Sequence, residues 1–165
     1  MFVIDGKYHP WRHLAVKYPH VVVDCKRRLP GRRAGFRKGN HIWLCDSLDQ
    51  AGRRSVLAHE IVHLERGDPE HHPKGRAAEE LEVIRATARK LIPTRDLVEA
   101  LKGERHTTTE RLADCLWVDA PTLVERLESL DAIDLSDLEV ELDFDWSVAM
   151  PGRRGRAPGL EPRRS

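Results

Sequence analysis

His59, Glu60 and His63 stand in the order His-Glu-Ile-Val-His, two imidazoles four residues apart with a carboxylate directly after the first. Residues four apart on an α-helix share one face. Both rings can therefore reach a single tetrahedral Zn²⁺ while Glu60 addresses a water in a position the protein leaves open. The chemistry this spacing predicts is metal-assisted hydrolysis with Glu60 as general base. A catalytic zinc normally takes three protein ligands, so a further donor is expected from elsewhere in the chain.

The residues around the motif have to supply a rigid helix. Leu57, Ile61 and Leu64 recur at spacings of four and three and mark a buried face. Ser47 with Gln50 fits a capping box, and Gly67 followed by Asp68-Pro69 supplies a stop, so the helix is expected from about Leu48 to Arg66. A second helix is expected over Arg76 to Ile92, opening with Glu79, Glu80 and Glu82. Glu82, nineteen residues past His63, is the first candidate for the third ligand, and Glu79, one turn earlier on nearly the same face, is the second. With Glu82 facing the metal, Glu80 points elsewhere. Between the two helices, Glu70, His71, His72 and Lys74 read as a solvated loop, because neighbouring loop residues have no enforced common face for a metal.

Other segments must form the support. Residues 8–18 read as a short amphipathic helix led by Pro10, and His20 to Cys25 as a valine-rich buried strand. Lys26 to Lys38 reads as a basic loop, and His41 to Cys45 as a second strand entered through a Gly39-Asn40 turn. A small sheet beside the metal helix follows, and Arg37 to Leu44 is the candidate edge for holding a substrate as an added strand. Residues 107–130 have the spacing of a helix-turn-helix. Their second helix offers Glu125, Arg126 and Glu128, and Trp117 stands where the turn favours Gly, so they read as a helical pair that completes the core. The unbroken apolar and acidic alternation from Leu138 to Trp146 predicts a β-strand docked by its apolar face.

A third of the residues are charged and 5% are aromatic, which suits a soluble chain with one moderate core. No apolar run is long enough to span a bilayer, and the N-terminus lacks the basic-then-apolar order of a signal peptide, so a cytoplasmic location is expected. Cys25, Cys45 and Cys115 are odd in number and widely spaced, which argues for small buried hydrophobes over disulfides or a zinc knuckle. The near-neutral net charge conceals segregation: residues 1–58 carry twelve Lys or Arg against four Asp or Glu, while 128–145 carry eight acids and no Lys or Arg. Residues 151–165, with five arginines and few apolar groups, predict a disordered basic tail.

From about Gly35 to Leu130 the order of parts resembles the ImmA/IrrE family of zinc metallopeptidases of bacteria, phages and mobile elements. The stretches that carry the resemblance are Gly35 to Cys45, Arg53 to Gly67 around the His-Glu motif, and Glu82 to Pro93. It implies a β-hairpin, an active-site helix and a ligand helix ending in a Leu-Met-Pro-like turn, and counting back from Pro93 places Glu82 at the third zinc ligand. It also implies Zn²⁺ as cofactor and a protein substrate, a transcriptional repressor whose cleavage releases phage, mobile-element or stress genes.

The expectation is thus an α+β, zincin-like minimal metallopeptidase. A small sheet packs on the active-site helix and the following ligand helix, with a helical C-terminal part. Residues 1–130 form the catalytic domain, 131–150 an acidic segment with a strand at 138–146, and 151–165 the tail. Metal ligands are His59, His63 and Glu82, the catalytic base is Glu60, the partner is a protein, and direct nucleic-acid contact is not expected. The competing reading is an inactive or DNA-binding regulator that uses 107–130.

Overall fold

In the computed structural model, which describes residues 3–4, 6–67, 75–103 and 108–142, the valine-rich run and His41 to Cys45 pair as expected, with a third strand beside them. The elements run β1 (Val3–Ile4), β2 (Lys7–Tyr8), α1 (Pro10–Lys17), β3 (Val22–Arg27), β4 (Gly35–Lys38), β5 (His41–Cys45) and α2 (Gln50–Arg66). There follow α3 (Arg76–Leu91), α4 (Thr94–Gly103), α5 (Thr109–Leu116), α6 (Ala120–Glu128) and α7 (Ala132–Leu142). The architecture is α+β, mostly helical, with a three-stranded sheet of order β3-β5-β4.

β4 and β5 form an antiparallel hairpin in which Gly35 faces Leu44 and Lys38 faces His41. Gly39 at φ 57° takes the first central position of its two-residue turn, where a side chain would be strained. β3 runs parallel to β5, so β4 is an open edge and β5 the centre. Only the Arg37 and Lys38 part of the expected substrate edge therefore lies on an edge strand; His41 to Leu44 lies in the middle. The expected basic loop is ordered in part, by a 3-10 turn at Pro30–Arg32 and by β4 itself.

α2 separates two apolar clusters. Leu57 and Ile61 pack with Leu14, Ile42 and Leu44 under the sheet, while Ala58 joins Leu91, Ile92, Leu97, Leu116 and Leu123 of the helical half. A helix buried on two sides holds its side chains rigidly, as a metal site requires. It begins one residue after Asp49, whose Oδ1 accepts from the Gly52 N–H at 2.7 Å, rather than at Ser47; Gly67 closes it.

Residues 138–142 are helical, not extended. Leu135, Leu138 and Leu142 form a stripe of spacing three and four that packs on the helical core, and this burial outweighs the period-two pattern superimposed on it. The start is set by a reciprocal capping box: Asp131 Oδ1 accepts from the Asp134 N–H at 2.9 Å, and Asp134 Oδ2 accepts from the Asp131 N–H at 3.1 Å. Val140, expected on the docked face, is 78% exposed. Cys115 is exposed, unlike the buried Cys45. The readings for residues 68–74, including His71 and His72, for 143–146 and for the tail at 151–165 lie outside the described residues.

Candidate metal centre and catalytic cleft

α2 places the imidazoles of His59 and His63 one turn apart, with ring centroids 4.8 Å from each other. Against both lies the carboxylate of Glu80, from the first turns of α3. Its Oε1 is 3.1 Å from His59 Nε2, and its Oε2 is 3.2 Å from His63 Nε2. Donors held at about 2.0–2.1 Å by a tetrahedral zinc stand roughly 3.3 Å apart. Among the described residues, His59, His63 and Glu80 are the group able to hold a metal, and their spacing fits such an ion.

The sequence reading put Glu82 here and turned Glu80 away; the structure brings Glu80 to the rings, and neither Glu82 nor Glu79. Successive helical residues are about 100° apart. α3 buries Glu79, Val83, Thr87 and Leu91, and Glu80 falls within that arc, between Thr87 and Leu91, whereas Glu82 falls outside it. Glu79, only 3% exposed, is committed to Arg66: Nε donates to Oε1 at 2.5 Å and Nη2 to Oε2 at 2.9 Å. This bidentate clamp ties the last turn of α2 to the first turn of α3 and so positions the adjacent Glu80. A second tie, from Lys90 to Glu65, fastens the same two helices further along. The signal that could have found Glu80 is its angular place between Thr87 and Leu91 on the buried face of α3.

Electrostatics suit the two roles. Burial holds the His59 imidazole below its ordinary range, against the pull of Glu80, which keeps the ring in the neutral form that ligates. Burial also pushes the Glu60 carboxyl up to about 7, with Arg37 opposing and Glu80 adding. A carboxylate of that basicity is matched to taking a proton from water near neutral pH.

A cleft of about 470 Å³ opens at His59 and Glu60. Ala34 and Gly35, at the start of β4, line one side, α2 and α3 supply Val56 and Ile84, and the N-terminal turn of α6 contributes Asp119, Pro121 and Thr122. The sequence reading gave α6 no part in the site. Its place there depends on Arg54, a buried α2 guanidinium that donates to Tyr8 O at 2.9 Å, Leu116 O at 3.3 Å and Trp117 O at 2.7 Å. Ser55 Oγ also accepts from the Asp119 N–H at 3.2 Å. Trp117, at φ 55°, makes the left-handed corner that turns α5 into α6, and its ring lies 5.0 Å from the Arg54 guanidinium.

No curated protein and no solved structure matches the chain significantly. The model of the peptidase M78 family, described as the IrrE N-terminal-like domain, matches residues 24–128. That span runs from within β3 to the end of α6 and contains the whole constellation of His59, Glu60, His63 and Glu80. The resemblance carried by the sequence is therefore one of membership: the chain belongs to the peptidase M78 family of metallopeptidases.

Proposed function

We propose that this protein is a zinc-dependent endopeptidase that cleaves a protein substrate, with His59, His63 and Glu80 as metal ligands and Glu60 as general base. The observation that carries the reading is the carboxylate of Glu80 set across both His59 and His63, with His59 itself lining the cleft that also holds Glu60. When bound, zinc supplies Lewis acidity, which lowers the pKa of water and polarises a carbonyl. Glu60 accepts the proton of the attacking water and returns it to the departing amine.

β4 supplies the means of holding the substrate. The Cys45 N–H donates to Ala34 O at 2.8 Å, so 34/45, 36/43 and 38/41 are the hydrogen-bonded pairs of the hairpin. The backbone groups of Gly35 and Arg37 then point to the open edge, where an extended peptide can pair with them. Gly35 lies beside the base: a Cβ built on it would stand 3.5 Å from Glu60 Oε1. A peptide on this edge is thus led past Glu60, and the cleft takes a side chain beside the scissile bond.

The family resemblance supports a transcriptional repressor as substrate and the cytoplasm as the place of work. No described helix is long and apolar enough to cross a membrane. The test is co-expression with a candidate repressor encoded by a neighbouring gene, wild type against Glu60→Gln. The wild type cleaves it, and Glu60→Gln retains zinc but loses about 10²–10⁴-fold in rate. A zinc-loaded Glu60→Gln variant that cleaves like the wild type removes Glu60 as base, and a zinc-loaded but inactive wild type refutes the peptidase reading for this substrate.

A further inference from the structure

The sheet has a second face, turned away from α2, that the cleft does not use. Ile42 and Leu44 point into the core, so His41 and Trp43 of β5 point outward, with Phe36 of β4 opposite Trp43. The rings lie in a row. Trp43 stacks on Phe36 at 5.6 Å and 23°, and on His41 at 5.4 Å and 22°. The guanidinium of Arg33 extends the row, 5.8 Å from the centre of Phe36. Phe36 is 39% exposed, and His41 is exposed as well.

Around this row the chain is densely cationic. From Lys26 to Lys38, seven of thirteen residues are Lys or Arg and none is Asp or Glu. All seven except Arg37 are exposed, and Arg37 faces the other way, towards Glu60. Asp24, an acid on the aromatic face, is paired with Arg27 at 3.7 Å and accepts from the Lys26 N–H at 2.8 Å. Cross-strand pairing alone explains one aromatic pair. It does not explain a row of planar groups left open to solvent beside cations that, Arg27 apart, have no carboxylate partner among the described residues. Unpaired bases stack on such rings while their phosphates meet such cations.

We propose that the outer face of β3-β5-β4 binds single-stranded nucleic acid, with His41 and Phe36 as stacking residues and the exposed cations from Lys26 to Lys38, Arg37 apart, as phosphate contacts. Duplex is the poorer ligand, because its bases are already stacked and the face offers no helix to enter a groove. The inference does not depend on the peptidase reading, since the cleft lies on the opposite side of β4.

The test is fluorescence anisotropy of labelled oligo(dT) with the full chain, compared with a duplex of equal length and with heparin as competitor. Binding is expected to favour oligo(dT) and to fall as salt rises. Phe36→Ala and His41→Ala, both at exposed positions and each checked for wild-type circular dichroism, each weaken binding about 5- to 150-fold. Arg95→Ala, an exposed arginine on α4, leaves binding unchanged. Failure to bind oligo(dT) at low salt overturns the proposal, as does equal affinity for duplex together with indifference to both aromatic substitutions. Absence of oligo(dT) binding combined with impaired cleavage of a protein substrate by Phe36→Ala assigns the face to a protein partner and likewise overturns it.

Discussion

Replacing Glu80 by Ala removes the carboxylate whose oxygens lie 3.1 Å from His59 Nε2 and 3.2 Å from His63 Nε2. Protein sites with four ligands bind zinc with about 10–16 kcal/mol, so one donor is worth about 3–4 kcal/mol. At 1.4 kcal/mol per factor of ten, the zinc Kd should rise about 10²–10³-fold. The adjacent carboxylates separate metal binding from scaffolding. Glu82→Ala, outside the inward arc of α3, should leave zinc affinity unchanged. Glu79→Ala breaks the bidentate clamp to Arg66, but that guanidinium is 32% exposed and can turn to water. Its loss should therefore cost about 1–2 kcal/mol of stability. Zinc affinity read by competition with a chromophoric chelator, and stability read by urea denaturation of the same variants, give the comparison. A Glu80→Ala protein that keeps zinc within about threefold of the wild-type Kd, beside a Glu82→Ala protein that loses it, refutes the assignment.

Asp134 joins α7 to α6 through Arg126, whose Nη1 and Nη2 donate to it at 2.8 Å and 2.7 Å, and whose Nε donates to Ile92 O at 2.8 Å. Asp134→Leu leaves that guanidinium buried without a counter-charge and should cost about 3–5 kcal/mol in denaturant titrations, while Arg126→Met with Asp134→Leu recovers most of the loss; equal stability of the two variants would contradict this. The hydrogen bonds from Arg126 hold the Asp134 carboxyl well below the usual carboxylate range against burial, with Thr94 assisting, so the unfolded chain takes up this proton first. The stabilisation is complete above about pH 4 and declines as pH falls towards the folded value, an acid limb that Asp134→Asn should flatten in thermal melts across pH. At Gly35, a Cβ would stand 2.3 Å from Val56 Cγ1 and must displace β4 or Val56 by about 1 Å. Gly35→Ala should cost about 1–3 kcal/mol and up to about 10² in kcat/KM with zinc retained, and wild-type kinetics would show that β4 does not guide the substrate.

The helix that carries His59, Glu60 and His63 was legible because its determinants are local. The spacing of His59 and His63, the stripe Leu57, Ile61 and Leu64, and Gly67 at the end each act within a turn or two of chain. The central strand β5 was legible for the same reason, since Gly39 and Asn40 mark the turn into it and Ile42 and Leu44 its inner face, whereas its partner β4 falls in the stretch read as a basic loop and the hairpin followed only from the family resemblance. The alternation after Leu138 misled because two periods coexist there, and only the apolar surface of the helical core, built from residues far away in sequence, chose the stripe of Leu135, Leu138 and Leu142.

What the sequence determined on its own is the arrangement on one helix: two imidazoles and a carboxylate whose relation is set by the helical repeat. What only the tertiary structure decided is which carboxylate lies against the rings, and the cleft. Counting residues from His63 cannot choose among Glu79, Glu80 and Glu82, because spacing along the chain does not fix how α3 is rotated against α2. The choice falls to the rotation of α3, fixed where Glu79 meets Arg66 and where Val83, Thr87 and Leu91 are buried. In the same way α6 comes to wall the cleft through Arg54 and Ser55, whose partners at Leu116, Trp117 and Asp119 stand more than sixty residues away along the chain, a proximity that no local pattern encodes.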